Sequence, residues 1–172
     1  MKITLKITGA LLDQVRRDLA RPHAFAHERV GFLTAGAAAM ADELVLLVRD
    51  YIVVADDDYE LARDVGARIG SNAMRKAAQA AYRPASALLH VHSHGGRGLP
   101  RFSSVDIESG AVFVPGFFQS CPKMPHGLLV LSDDRATGTL WPGAGRHPVA
   151  IERLVRIGQP IVEQWGSNYE LA

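Results

Sequence analysis

His90-Val91-His92-Ser93-His94-Gly95-Gly96-Arg97-Gly98-Leu99-Pro100-Arg101-Phe102-Ser103-Ser104-Val105-Asp106 is the stretch on which the reading of this chain turns. It follows the apolar run Ala87-Leu88-Leu89, which predicts a strand entering a core. Side chains on a strand alternate between faces, so His90, His92 and His94 share one face, with His92 and His94 flanking Ser93. Two imidazoles one strand repeat apart can close on a single metal ion, and neutral imidazole is the commonest metal ligand. Beyond two consecutive glycines and a proline, Ser103-Ser104-Val105-Asp106 predicts a helix start, with Ser103 as cap and Asp106 at the positive end of the helix. An aspartate held there can turn back as a third, oxygen ligand. A lone histidine is more often a surface or core residue than a ligand. Three alternating histidines followed by a capped aspartate make a ligand set, and they predict a metal site.

The 172 residues, 48% hydrophobic and 22% charged, suit one soluble globular domain over residues 1 to 172 with its own core. A net charge of +1 gives no reason to expect nucleic acid or an anionic membrane as partner. The one cysteine, Cys121, excludes an internal disulfide framework and a cysteine-rich zinc module, and it reads as a small buried hydrophobe. Residues 1 to 7 alternate polar and apolar and lack the long apolar core of a signal peptide. No run approaches the ~20 apolar residues that span a bilayer. These features predict a cytoplasmic protein.

Working outward, residues 2 to 8 alternate as a half-buried strand, and Leu11, Leu12, Val15 and Leu19 sit at helical spacing up to the stop at Arg21-Pro22. Residues 29 to 40 and 44 to 54 read as a hairpin of β-rich runs. Asp56-Asp57-Asp58 lacks the glycine and terminal glutamate of an EF-hand, so it reads as a solvated acidic loop. Residues 60 to 82 carry Leu61, Val65, Ile69, Met74, Ala77 and Ala81, a helical pattern with a break expected at Gly70-Ser71-Asn72. A strand over 86 to 92 leads into the histidine-rich loop. The helix from Ser103 is expected to be interrupted near Pro115-Gly116, with Phe113, Phe117 and Phe118 around the break as core or as walls of a substrate groove. Residues 127 to 132 predict a buried strand, 136 to 141 its hairpin partner, and 149 to 157 a final strand. A break at Gly158-Gln159-Pro160 precedes an amphipathic tail over 161 to 172. Helices and strands alternate unevenly, which predicts an α/β (α+β mixed) class with a central mixed, largely antiparallel sheet flanked by helices.

His92-Ser93-His94, then Ser103 and Asp106 three residues apart, with Glu28 upstream in Glu28-Arg29-Val30-Gly31-Phe32-Leu33, resembles the JAMM signature of the JAB1/MPN/Mov34 metalloproteases. The resemblance covers about residues 24 to 135. One departure is the loop between the second histidine and the serine, where eight residues replace the usual seven; Gly95, Gly96 and Gly98 can absorb the extra one. The resemblance implies a JAB/MPN-like (cytidine-deaminase-like) architecture and a zinc isopeptidase or peptidase acting on ubiquitin or ubiquitin-like proteins in their conjugates.

Carried onto this sequence, it implies that His92, His94 and Asp106 hold zinc and that Glu28 is the general base and acid. It implies further that Ser103 donates to the oxyanion, with Ser104 as substitute for that role or for the cap. The chemistry agrees, since three protein ligands leave zinc an open position and zinc lowers the pKa of a bound water to about 7. A carboxylate beside that water can take and return its proton. His90 has two readings, a residue that orients a ligand or a partner of His92 in the metal pair itself. The expected partners are a ubiquitin-like protein and its conjugates, together with E1/E2-like enzymes of the same system. Size and resemblance point to a bacterial ubiquitin-like conjugation system of the antiphage-defence kind. A small peptide or sulfur-carrier substrate is the alternative, and a non-catalytic scaffold is a third. A protein tail needs an open groove with an apolar patch beside it, whereas a closed pocket suits the small substrate. Candidate recognition surfaces are the acidic loop at 56 to 60 and the segment from 113 to 126.

Overall fold

The computed structural model describes residues 1 to 62 and 65 to 158, and the backbone alone of 162 to 165. The strands and helices are β1 (Lys2–Thr8), α1 (Gly9–Leu19), β2 (Val30–Ala39), β3 (Glu43–Val53), β4 (Tyr59–Glu60), β5 (Arg68–Ile69), α2 (Ser71–Tyr82) and β6 (Ala87–Ser93). They continue with α3 (Ser104–Ser120), β7 (His126–Leu131), β8 (Ala136–Trp141), β9 (Val149–Ala150), β10 (Arg153–Ile157) and β11 (Val162–Trp165). Nine strands form one mixed sheet in the order β11-β10-β1-β3-β2-β6-β7-β8-β9, while β4 and β5 pair separately. Parallel pairings join β1 to β10 and β3, and β6 to β7; the other five are antiparallel. This is a mixed α/β fold with a largely antiparallel sheet, as the uneven alternation of elements implied.

The sheet curls until its two ends approach. Only Ile151 and Glu152 separate β9 from β10, yet these strands lie near opposite ends of the order. The Ile151 N–H donates to Gly138 O at 2.9 Å and the Glu152 N–H to Ile3 O at 3.0 Å, so two residues bridge β8 to β1. The expected single strand over 149 to 157 is therefore two strands near opposite ends of the sheet order. A side chain at Gly138 would meet Ile151 Cδ1 at 2.7 Å, so glycine there lets Ile151 pack close at the closure.

Inside the curl, α1 buries Leu12, Val15 and Leu19 against Ile3, Leu5, Leu33, Leu46 and Leu89. On the other face, α2 and α3 bury Ala73, Ala77, Ala81, Val114 and Phe117 against Phe32, Leu88 and Leu128. His126 is fully buried there: its Nδ1 accepts from the Leu88 N–H at 3.0 Å, and its Nε2–H donates to Cys121 O at 3.0 Å. Cys121 is buried too, its thiol donating to Ala81 O.

Several expectations are corrected. The helix begins at Ser71, with Gly70 as its N-cap, and does not extend back to residue 60. Glycines at 66 and 70 weaken a helix, and Leu61, the first apolar position of the pattern, is 64% exposed. Residues 63 and 64 of that span lie outside the described residues. α3 runs through Pro115 without a break. Burial of Val114, Phe117 and Phe118 around that turn offsets the roughly 3 kcal/mol that an internal proline costs. The acidic run is a 3-10 turn rather than a solvated loop. Asp58 is buried, paired with Lys76 Nζ at 2.7 Å and bonded to Asn72, and Asp56 pairs with Arg29 at 2.7 Å. In place of an amphipathic tail, the backbone of Val162–Trp165 is a strand pairing antiparallel with β10. Residues 159 to 161, which hold most of the expected break, and 166 to 172 lie outside the described residues. Among the described residues, no helix is long and apolar enough to cross a membrane.

Candidate metal centre

β6 carries His90 and His92 on one face and ends at Ser93, so His94 is the first residue of the loop beyond it. Its backbone is held by a bond from the His94 N–H to Leu131 O at 3.0 Å. The loop then turns through Gly95, Gly96 and Gly98, all at positive φ, where L side chains are strained. It is fastened by Gly98 N–H to Asp134 Oδ1 at 2.8 Å and by Ser132 Oγ–H to Gly98 O at 2.7 Å. These turns deliver Ser103 to the start of α3.

At that start Ser103 and Asp106 form a capping box. Ser103 Oγ accepts from the Asp106 N–H at 3.2 Å, and Asp106 Oδ2 accepts from the Ser103 N–H at 2.7 Å and hydroxyl at 2.8 Å. The box aims the carboxylate at the histidines: Oδ1 lies 3.2 Å from His92 Nε2 and Oδ2 lies 3.4 Å from His94 Nε2. Burial raises the Asp106 pKa, but the His92 contact and the Ser103 donors more than reverse it, holding the carboxyl below the ordinary range.

Glu28 reaches the same point from a distant segment. β2 pairs antiparallel with β6, with Val30 opposite His92. Continuing that register two residues places Glu28 level with His94, and Glu28 Oε1 stands 3.9 Å from His94 Nε2. The two imidazole Nε2 atoms are 3.1 Å apart. One ligand atom each from Glu28, His92 and His94 falls within 4.8 Å of the others, so this group can hold a metal ion. Four ligands around zinc at tetrahedral bond lengths stand about 3.3 Å from one another. The 3.1 Å between the two imidazole nitrogens matches such an edge, and Asp106 turns one oxygen to each of them, Oδ1 to His92 at 3.2 Å and Oδ2 to His94 at 3.4 Å. The residues present therefore fit a small divalent ion with two nitrogen ligands and one oxygen.

The structure thus brings together all five residues singled out from the sequence: Glu28, His92, His94, Ser103 and Asp106 line one cleft. His90 lies in that cleft but is not the partner that closes on His92. Its ring packs against Phe113 at 5.1 Å and Phe32 at 5.5 Å, and burial, followed by the nearby His92, pushes its pKa down to about 3. Nothing among the described residues bonds the buried Nδ1 of His92. The cleft has a volume of about 830 Å³. One wall is the segment from residue 65 to 69 with Met74, and the other is the first turns of α3 through Val105, Ser109 and Phe113. Of the three phenylalanines expected as core or groove, Phe113 lines the cleft while Phe117 and Phe118 are buried.

The reading of residues 60 to 82 as helix concealed the first wall, including Gly66. The Gly66 carbonyl accepts from both the His27 N–H at 2.8 Å and the Glu28 N–H at 2.9 Å. Its only sequence signal was a glycine set in a helical pattern. Both expected recognition surfaces are exposed in part: Asp56, Asp57 and Glu60 in the first and Pro115, Gly116, Gln119, Pro122 and Lys123 in the second reach the surface, while Asp58, Phe117, Phe118, Cys121 and His126 are buried. Val105, at the cleft wall, is itself exposed, and Val112, at 80% exposure, stands two turns along the same side of α3.

No protein-family model matches the chain, and no curated protein matches it. Among solved structures, the N-terminal domain of STIL from Trichoplax adhaerens is similar at a TM-score of 0.41 and 12% identity over 80% of this chain. The chain spans 41% of that structure's length. A likeness of this size carries no argument about function.

Proposed function

We propose that the protein is a zinc-dependent isopeptidase or peptidase of the JAB1/MPN/Mov34 type, with that family's architecture, cutting after the C-terminus of a ubiquitin-like protein in a conjugate or precursor. The observation that carries this reading is the convergence of Glu28 on His92, His94 and Asp106, with Ser103 at the same cleft. His92, His94 and Asp106 would hold zinc, for which two imidazoles and one carboxylate are a suitable donor set. Zinc, when bound, supplies a water of lowered pKa. Glu28 then takes that proton and returns it to the leaving amine. Its carboxylate stands beside the ligand cluster rather than completing the closest set. Ser103 aims Asp106 through the capping box, and its hydroxyl serves an oxyanion only by turning away from that carboxylate.

A protein tail suits the cleft, because Val105 at its wall is exposed and Val112 stands exposed two turns along the same side of α3. The resemblance adds a bacterial conjugation system with E1/E2-like partners, and the sequence features add a cytoplasmic setting. The test is a ubiquitin-like protein fused through its C-terminus to a reporter, incubated with and without a chelator. Cleavage after the last residue of the modifier should stop with chelator, return with zinc, and vanish in Glu28→Gln while zinc stays bound. Full activity in Glu28→Gln removes this residue from the chemistry. Cleavage of short peptides alone would replace the protein tail as substrate.

A further inference from the structure

Residues 20 to 29 form neither helix nor strand, yet they place Glu28 at the cleft. Coil has no ladder to satisfy its backbone, so side chains and distant carbonyls must hold it. Arg29 does much of this. It follows Glu28 directly and is 3% exposed. Its Nε–H donates to Arg21 O at 2.8 Å, its second guanidinium nitrogen to Pro22 O at 3.4 Å, and its third to Asp56 Oδ1 at 2.7 Å. The guanidinium also lies 5.8 Å from the centre of the Tyr59 ring, whose hydroxyl accepts from the Val30 N–H and donates to Val30 O. His23 Nε2 lies 2.9 Å from Glu28 O, the carbonyl being the acceptor, and Gly66 O takes the Glu28 N–H.

A buried guanidinium is costly unless it is paired, and a hydrophobic side chain of similar size would fill the space at less cost. The planar fork does what such a side chain cannot: it fixes three points of backbone and turn around one residue. We propose that the Arg29–Asp56 ion pair is a positioning device for Glu28, clamping the segment so that the carboxylate stands at the metal cleft. Asp56 comes from the 3-10 turn after β3 and does not line the cleft, so it acts through Arg29 alone. This inference rests on the reading of Glu28 as the general base.

The test uses Asp56→Ala and, should that variant fold poorly, Asp56→Asn, which keeps an acceptor oxygen. Asp56 is 49% exposed in its side chain, so neither change opens the core. Metal content should match wild type. On the fusion substrate, kcat should fall about 10- to 100-fold, the scale of a misplaced catalytic group, with KM within about twofold. Asp56→Asn should fall between wild type and Asp56→Ala. Amide hydrogen exchange over residues 21 to 30 should accelerate while β6 stays protected. Wild-type kcat in Asp56→Ala, or a fall matched by loss of metal, overturns the proposal. Exchange reads the clamp without any substrate, so unchanged protection over 21 to 30 overturns it too. A wild type that cleaves nothing counts against the hydrolase reading alone.

Discussion

A methyl group at residue 66 tests whether the Glu28 carboxylate must stand where it does. Gly66 is not among the glycines at positive φ, so alanine enters without backbone strain. The loss of unfolded-state freedom then favours the folded protein by about 0.4–1 kcal/mol. The new Cβ would stand 2.6 Å from Glu28 Oε2 and 2.9 Å from its Cδ, where ordinary contact begins at 3.4 Å. The carboxylate must therefore withdraw by about 0.8 Å, the difference between 3.4 and 2.6 Å. Withdrawal is cheap for stability, because what moves is the end of a flexible side chain. It is expensive for chemistry, where a misplacement near 1 Å costs on the order of 100-fold. Gly66→Ala should keep its metal and melt at or above the wild-type temperature, while kcat on the fusion substrate falls about 10- to 100-fold. Metal analysis, a thermal melt and steady-state kinetics on one preparation decide it. A kcat within about twofold of wild type, with the melt unchanged, would refute the claim that Glu28 acts from its observed position.

Three further outcomes follow from the same geometry. His92→Ala or His94→Ala should lose the bound metal on purification, since each removes one corner of the ligand face; metal retained at full stoichiometry in both would sink the ligand assignment. Ser103→Ala should cost about 1 kcal/mol as a lost helix cap. Because the same hydroxyl aims Asp106, it should also weaken metal affinity by about tenfold or more, and chelator competition showing wild-type affinity would separate the two roles. Burial lowers the His126 pKa, so on acidification the unfolded chain binds that proton first. The stability owed to neutral His126 is fully present above about pH 6.5 and is lost as pH falls through that value toward the depressed folded pKa. In chelator, wild type should lose more unfolding free energy between about pH 8 and pH 5 than His126→Asn does. Equal slopes by urea unfolding would contradict it.

What could be read before the structure was what repeats locally. The alternation of residues 2 to 8 and the spacing of Leu12, Val15 and Leu19 gave β1 and α1 at nearly their observed bounds. The runs on either side of Ala41 and Asp42 gave the β2–β3 hairpin. Residues 60 to 70 misled because their apolar spacing imitates a helix, while the described residues around them are held by distant contacts: Tyr59 bonds to Val30, and Gly66 to residues 27 and 28. Pro115 misled in the opposite direction, since local propensity predicts a break that the burial of Val114 and Phe117 overrides. Curling of the sheet depends on which strand meets which, and two bridging residues at 151 and 152 carry no periodicity that reveals it.

The candidate site divides along the same line. The proposed ligands His92, His94 and Asp106 lie within one strand, loop and helix start, so their spacing in sequence is nearly their spacing in space. Glu28 is 64 residues before His92, and only the register of β2 on β6, Val30 opposite His92, brings it level with His94. Side chains alternate along extended chain, so a slip of one residue in that register would present Arg29 to the cleft and turn Glu28 away. In the structure the two neighbours serve opposite directions, the carboxylate toward His94 and the guanidinium toward Asp56 and the carbonyls of residues 21 and 22. The grip on Arg29 and the aim of Glu28 are therefore one conformational choice. An acidic run that reads as solvated in the sequence reaches the cleft through that choice, without touching it.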